Sequence, residues 1–151
     1  PVFQQDYEGL RQVVQDLDIP VMAGEHEYSS WMVKELLAET GVDLVNIDVI
    51  KCGGITDCKK AAAIAHVFGK QVMVHNAKPT LATAASLQLL GSIPNAAHFQ
   101  EYAGKREGEG YGSLLGLFDN YFRFKDGYLE VPQEPGLGLL VNEKAMEAER
   151  K

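Results

Sequence analysis

The chain reads as half of a parallel α/β barrel, and two observations carry that reading. Four largely apolar stretches each stop at an acid or base group: Val21-Met22-Ala23-Gly24 at Glu25, Leu44-Val45-Asn46-Ile47 at Asp48, Gln71-Val72-Met73-Val74 at His75, and Ala97-His98-Phe99-Gln100 at Glu101. The stops are 23, 27 and 26 residues apart, close to one strand plus one returning helix. Parallel barrels built from such units collect their chemistry at the carboxyl ends of their strands. A complete eight-stranded barrel needs about 200 residues or more. The 151 residues here, with four predicted strands, fall well short of that.

Taken in order, Pro1 to Gln5 is aperiodic and reads as a connecting loop, which implies a preceding segment. Asp6 is placed to cap a helix whose Leu10, Val13, Val14 and Leu17 form one apolar stripe, with Asp18 and Pro20 ending it. After the Glu25 strand, Ser30 is the expected cap of a second helix, with Val33, Leu36 and Leu37 inward and Gly41 as its stop. Beyond the Asp48 strand, a Gly53-Gly54 turn leads to a helix capped by Thr56. Its Ala61, Ile64, Ala65 and Phe68 face the sheet until Gly69. After the His75 strand, Pro79 suits the first turn of a helix that Gly91 ends, and Ala82, Ala84 and Ala85 are small enough to pack closely on strands. Such alternation implies a parallel sheet covered by helices with right-handed crossovers. Past Glu101 the pattern changes. Gly104 to Gly116 holds five glycines and reads as a long loop. Tyr121 to Phe124 and Tyr128 to Val131 flank Lys125-Asp126-Gly127 as a hairpin, a Pro- and Gly-rich tail follows, and Glu143 to Lys151 form a charged helix. No linker divides residues 1–151, which are expected to be one partial domain.

Composition narrows the function. With 14 Lys and Arg against 21 Asp and Glu, the net charge of −7 disfavours nucleic acid and anionic membranes but leaves room for a metal or small anion. A hydrophobic content of 46% supports a real core. Cys52 and Cys58 fit neither a zinc pair nor a disulfide framework and read as reduced thiols. No run of about 18 apolar residues and no export signal is present, so a soluble, cytoplasmic protein is expected.

Residues two apart share a face of a strand. Val21, Ala23 and Glu25 therefore align with Leu44, Asn46 and Asp48, with Gln71, Met73 and His75, and with Ala97, Phe99 and Glu101, all pointing into the barrel. Val45, Ile47, Val72 and Val74 meet the helices. Neighbouring strands lie about 4.8 Å apart, so Asp48 and His75 are expected to hydrogen-bond. A carboxylate there fixes the imidazole tautomer and makes it a stronger base. The bland alternative is that polar strand ends simply meet water. That suffices for any one of them and strains to explain four in register. His66 and His98 read as structural, His26 as either a support for Glu25 or a substrate contact, Lys51 as solvated or ion-paired, and Trp31 as packing. The Gly53-Gly54 turn either cradles a phosphate or serves as a tight turn alone.

The segments Ile-Pro-Val-Met-Ala-Gly-Glu25, Asp48-Val-Ile-Lys-Cys-Gly-Gly, Val-His75, Phe-Gln-Glu101 and Pro135-Gly-Leu-Gly together resemble the mandelate racemase subgroup of the enolase superfamily. The resemblance runs through most of the chain. It implies the C-terminal half of a (β/α)7β barrel, with the capping domain, first strands, a second acid/base group and two further metal ligands lying before Pro1. By position, Glu25 resembles a ligand of an essential Mg²⁺, His75 the general acid or base, and Asp48 its dyad partner. Glu101 resembles the group that bonds the substrate carboxylate, and His26 and Lys78 are candidate substrate contacts. A proton next to a carboxylate is too weakly acidic for imidazole alone, so a hard cation is needed to stabilise the ene-diolate. Superfamily members with a lysine base in place of Asp48 fit less well. Ala-Ala-Ser-Leu-Gln-Leu after His75 and Gly-Glu-His around Glu25 lean toward acid-sugar dehydratases, which are carbon-oxygen lyases. Racemisation or epimerisation of a hydroxy acid on the same dyad is the alternative. A non-catalytic half-barrel that self-associates through open strand edges is a third reading. The chain alone is expected to bind metal weakly and be inactive, and a homo-oligomer acting on a hydroxy or sugar acid is expected of the parent.

Overall fold

β-Branched residues at every second position give the chain its ladder. The computed structural model describes residues 2–76, 81–102, 116–120, 122 and 124–148. In it β1 (Met22–Ala23), β2 (Leu44–Ile47) and β3 (Gln71–Val74) pair in parallel in that order. Met22 lies opposite Leu44, and Leu44 to Ile47 lie opposite Gln71 to Val74. The expected fourth strand is reduced to a single parallel bridge between Val72 and Ala96. Gln100 supplies the reason: its side-chain carbonyl accepts from the Val74 N–H at 3.1 Å, and its amide donates to the Ala97 carbonyl at 2.7 Å. A side chain thus takes the place of backbone pairing, and residues 98–101 leave the ladder.

Helices return the chain between strands. α1 (Tyr7–Asp16) starts on Asp6, whose carboxylate accepts from the Gly9 N–H at 2.8 Å. It ends before Leu17, which is extended and exposed, so the expected stripe loses its last member. α2 (Ser30–Thr40) is capped by Ser29 rather than Ser30, and Gly41 closes it in a left-handed conformation. α3 (Gly54–Val67) starts at the Gly-Gly turn itself, two residues before the expected Thr56 cap. Gly53 and Gly54 have φ of 82° and 75°, values open to glycine without strain, so the turn needs no side-chain cap. α4 (Leu81–Leu90) ends at Gly91, as expected. Pro79 lies outside the described residues.

The core forms where these helices cover one face of the sheet. Val33, Leu36 and Leu37 of α2, Ala61, Ala62 and Ala65 of α3, Leu89 of α4, and Val45, Ile47, Val72 and Val74 of the strands are all buried. Each Val, Leu or Ile so buried contributes roughly 1.5–3 kcal/mol. The alternation of β2 and β3 is as expected, but that of β1 is reversed: Ala23 lies opposite Val45 and packs with Val21 on the core, while Met22, opposite Leu44, is exposed. Phe68, predicted to face the sheet, lies past the end of α3 and is exposed. His66 and His98, read as structural, are exposed too, and Trp31, read as packing, is 73% exposed.

The C-terminal region has short elements among the described residues. β4 (Phe124–Lys125) and β5 (Tyr128–Leu129) form the expected antiparallel hairpin in shortened form around Asp126 and Gly127. The tail is tied back by the Phe118–Val141 bridge and by Gln88 Nε2 donating to the Pro132 carbonyl at 2.8 Å. α5 (Glu143–Ala148) follows. Most of the expected glycine-rich loop, Tyr121 and the last three residues lie outside the described residues. No helix among the described residues is long and apolar enough to cross a membrane.

Candidate active site

Because β1, β2 and β3 run parallel, their carboxyl ends open on one rim, and there the polar residues converge. Gly24, with φ of 122°, turns the chain out of β1, and a Cβ there would press on Val45 and Leu36 at 3.1 and 3.2 Å. Glu25 follows this turn and reaches across β2 to the end of β3. His75 Nδ1 lies 3.1 Å from Glu25 Oε2 and 3.0 Å from Glu101 Oε2. The other Glu25 oxygen lies 2.9 Å from His26 Nε2. The result is a row of alternating imidazoles and carboxylates, His26–Glu25–His75–Glu101, drawn from the ends of β1 and β3 and from the segment that follows the Val72–Ala96 bridge.

Ionised carboxylates only accept hydrogen bonds. The hydrogen of His75 therefore belongs on Nδ1, where Glu101 accepts it and Glu25 stands within ion-pairing distance. That leaves Nε2, which has no partner among the described residues, as the free ring nitrogen. His26 Nε2 stands 2.9 Å from Glu25, and its buried Nδ1 has no hydrogen-bond partner among the described residues.

Asp48 behaves differently from expectation. It stands beside His75 in register, since the His75 N–H donates to the Ile47 carbonyl at 2.9 Å. Yet no hydrogen bond joins the two side chains. One Asp48 oxygen accepts from the Ile50 N–H at 2.8 Å and the other lies 3.6 Å from Lys51 Nζ. The main-chain carbonyl of Asp48 accepts from the Lys51 and Cys52 N–H groups. The aspartate folds back on its own turn, a local bond that competes with contact between strands. The partners of His75 are Glu101 and Glu25, in place of the expected Asp48. Lys51 is ion-paired, one of its two expected states. Phe99, assigned to the barrel interior, packs edge-on against His98 and is 79% exposed. Lys78 lies outside the described residues.

Among the described residues no three His, Cys, Asp or Glu side chains converge as a metal site. Glu25, 38% exposed, can offer one oxygen, and a hard dication asks for several. The residues present do not by themselves make a Mg²⁺ site. A cleft of about 270 Å³ opens beside Glu25 and His26, walled by Phe3, Leu10 and Leu36. That is just under the roughly 300–1,000 Å³ of ordinary ligand pockets.

Two contacts were not legible beforehand. Glu27, almost fully buried, accepts a 2.8 Å hydrogen bond from the Tyr7 hydroxyl. Burial raises its pKa against the opposing pull of that bond, and burial raises the pKa of Tyr7 as well. Asp57 accepts from the Ser30 N–H at 2.7 Å and from the Ser30 hydroxyl at 3.2 Å, joining α3 to α2. The Ser30 backbone bond lowers its pKa. Asp57 stands three residues after the Gly-Gly turn, but a pairing 27 residues apart leaves no local signal.

A family model described as enolase C-terminal domain-like matches residues 1–145. The chain belongs to that family. Among its relatives in the enolase superfamily, the D-galactonate dehydratase of Variovorax paradoxus is 32% identical over 95% of this chain and 38% of its own length. The D-xylonate dehydratase of Haloferax volcanii is 28% identical over 98% of this chain and 35% of its own. The solved mandelate racemase/muconate lactonizing enzyme of Jannaschia sp. CCS1 superimposes with a TM-score of 0.81 at 26% identity, over 98% of this chain and 36% of that one. The resemblance read from the strand-end motifs is thus the family found. This enolase-type chain spans little more than a third of the length of those relatives.

Proposed function

We propose that the chain is the C-terminal catalytic part of a sugar-acid dehydratase, with His75 as the group that removes the proton α to the substrate carboxylate. The observation that carries this reading is the His75 imidazole, hydrogen-bonded through Nδ1 to Glu101 with Glu25 beside it and Nε2 left free at the strand-end rim. Its relatives are named as dehydratases of D-galactonate and D-xylonate, which supports polyhydroxy acids as the first substrates to try. Removal of that proton leaves negative charge on the substrate carboxylate. Glu25, Asp48 and Glu101 surround the site with more of the same sign, so the compensating positive charge must come from outside these residues. Mg²⁺ is the expected source, with Glu25 as one of its ligands, and the remaining ligands are assigned to the parent polypeptide.

Within this scheme Glu101 holds the His75 ring in its working orientation and His26 does the same for Glu25. Asp48 shapes the turn beneath them. The test is turnover of aldonic acids with Mg²⁺ by the longer polypeptide that carries this sequence, followed as formation of the 2-keto-3-deoxy acid. The chain alone is expected to give none. A longer polypeptide that neither dehydrates any aldonic acid nor exchanges its α-proton would sink the proposal.

Racemisation or epimerisation is the second reading, favoured by the likeness to the mandelate racemase/muconate lactonizing enzyme fold. Deuterium incorporated at the α-carbon without loss of water would select it.

A further inference from the structure

Beside β3 the chain begins a parallel ladder and then leaves it. Val72 lies opposite Ala96, the Val72 N–H donates to the Asn95 carbonyl at 2.8 Å, and the Ala97 N–H donates to the Val72 carbonyl at 2.7 Å. Bonds in a parallel pair are evenly spaced, so the next one would run from the Val74 N–H to the Ala97 carbonyl. Carried on in that register, Val74 would stand opposite His98 and His75 opposite Phe99. Glu101 would then fall beyond the imidazole. The observed neighbour of His75 is Glu101, at 3.0 Å, and Phe99 is turned out to solvent.

The Gln100 carboxamide accounts for the difference. Its oxygen accepts from the Val74 N–H at 3.1 Å and its nitrogen donates to the Ala97 carbonyl at 2.7 Å, so the amide sits inside the rung that those two backbone groups would otherwise share. One group must both accept and donate there, which an amide does and an ionised carboxylate or a thioether does not. We propose that Gln100 is a positioning residue for His75: by splitting the Val74–Ala97 rung it takes the chain out of register, so that Glu101 instead of Phe99 meets Nδ1. The inference rests on the reading of His75 as the base, and it names what sets that base's partner.

His75 itself is anchored without Gln100. Its N–H donates to the Ile47 carbonyl at 2.9 Å, and the buried Asn76 that follows it accepts at 2.8 Å from the Thr83 hydroxyl of α4. Removing the Gln100 amide therefore leaves the end of β3 in place and releases Glu101.

The test reads nuclear Overhauser contacts between the His75 ring and the Glu101 side chain in the labelled chain. Gln100→Met keeps the length of the side chain and removes both bonds. The expected result is loss of the His75–Glu101 contacts while those between β2 and β3 remain. Gln100→Glu, which keeps an acceptor for Val74 but repels the Ala97 carbonyl, should lose them too. Asp57→Ala weakens the fold at the distant α2–α3 contact and should leave them intact. The proposal is overturned if the contacts persist in a folded Gln100 variant, if Asp57→Ala loses them equally, or if neither Gln100 variant folds, which would make this residue a support of the fold and not of the contact. The readout is a contact and not turnover, so an inactive parent polypeptide would sink the proposed function and leave this inference standing.

Discussion

His75 shows how a side chain acquires a role from its neighbours. An isolated imidazole chooses its tautomer freely, but two glutamate oxygens at 3.0 and 3.1 Å from Nδ1 remove that choice. In the active parent, His75→Asn keeps the ring's place but not its basic nitrogen, and should lower turnover by about 10²- to 10⁴-fold. An unchanged rate would take His75 out of the mechanism. Glu27 makes a different point. Its pKa is raised by burial, so the neutral carboxyl's stabilising contribution is complete below the ordinary glutamate value of about 4.3 and is lost as pH rises through the raised one. Glu27→Gln keeps an oxygen for the Tyr7 hydroxyl and carries no charge. Its urea midpoint should exceed that of the parent at pH 7, and the gain should shrink to nothing below pH 4. A gain that persisted in acid would show that charge burial is not its cause.

At the scale of elements, α2 and α3 are fastened by Asp57, whose carboxylate serves the N-terminus of the neighbouring helix as well as the Lys60 ammonium at 3.2 Å. Hydrogen bonds to a charged group are worth about 1.5–3 kcal/mol, and partial exposure puts this one at the lower end. Asp57→Ala should therefore cost about 1–2 kcal/mol in denaturant unfolding. Because the folded pKa is lowered, that contribution is present above the ordinary aspartate value of about 3.9 and is lost as pH falls through the lowered one. The two proteins should converge in acid. Much at this scale was legible in advance: the Asp6 cap, the Gly41 stop, the buried faces of α2 and β2, and the parallel order all follow from local periodicity. The early start of α3 and the lost fourth strand were not. One depends on glycine backbone freedom, and the other on Gln100 competing for Val74.

At the scale of the whole molecule, the polar face of the sheet is the unfinished one. Asn46 is buried there with its side-chain carbonyl unpartnered, and Met22 on the edge strand is 39% exposed. A carboxylate standing alone as a hard-oxygen ligand should bind Mg²⁺ weakly, so titration calorimetry of the chain should show no saturable heat. Saturation with tight affinity would mean that further ligands in this chain had been overlooked. The open β1 edge invites pairing, and sedimentation should show association that increases with concentration. A compact monomer at every concentration would remove the self-associating half-barrel from consideration.

What this sequence determined by itself is the alternation of strand and helix, the rim on which Glu25, Asp48, His75 and Glu101 fall, and the family. Each is written in local periodicity and in short motifs that survive without knowing any distance. Only the tertiary structure decided which of those four groups touch. A hydrogen bond is made or lost within about half an ångström, and a strand position is known from sequence only to the height of a residue. At that margin Asp48 turned to its own backbone and Glu101 took the imidazole.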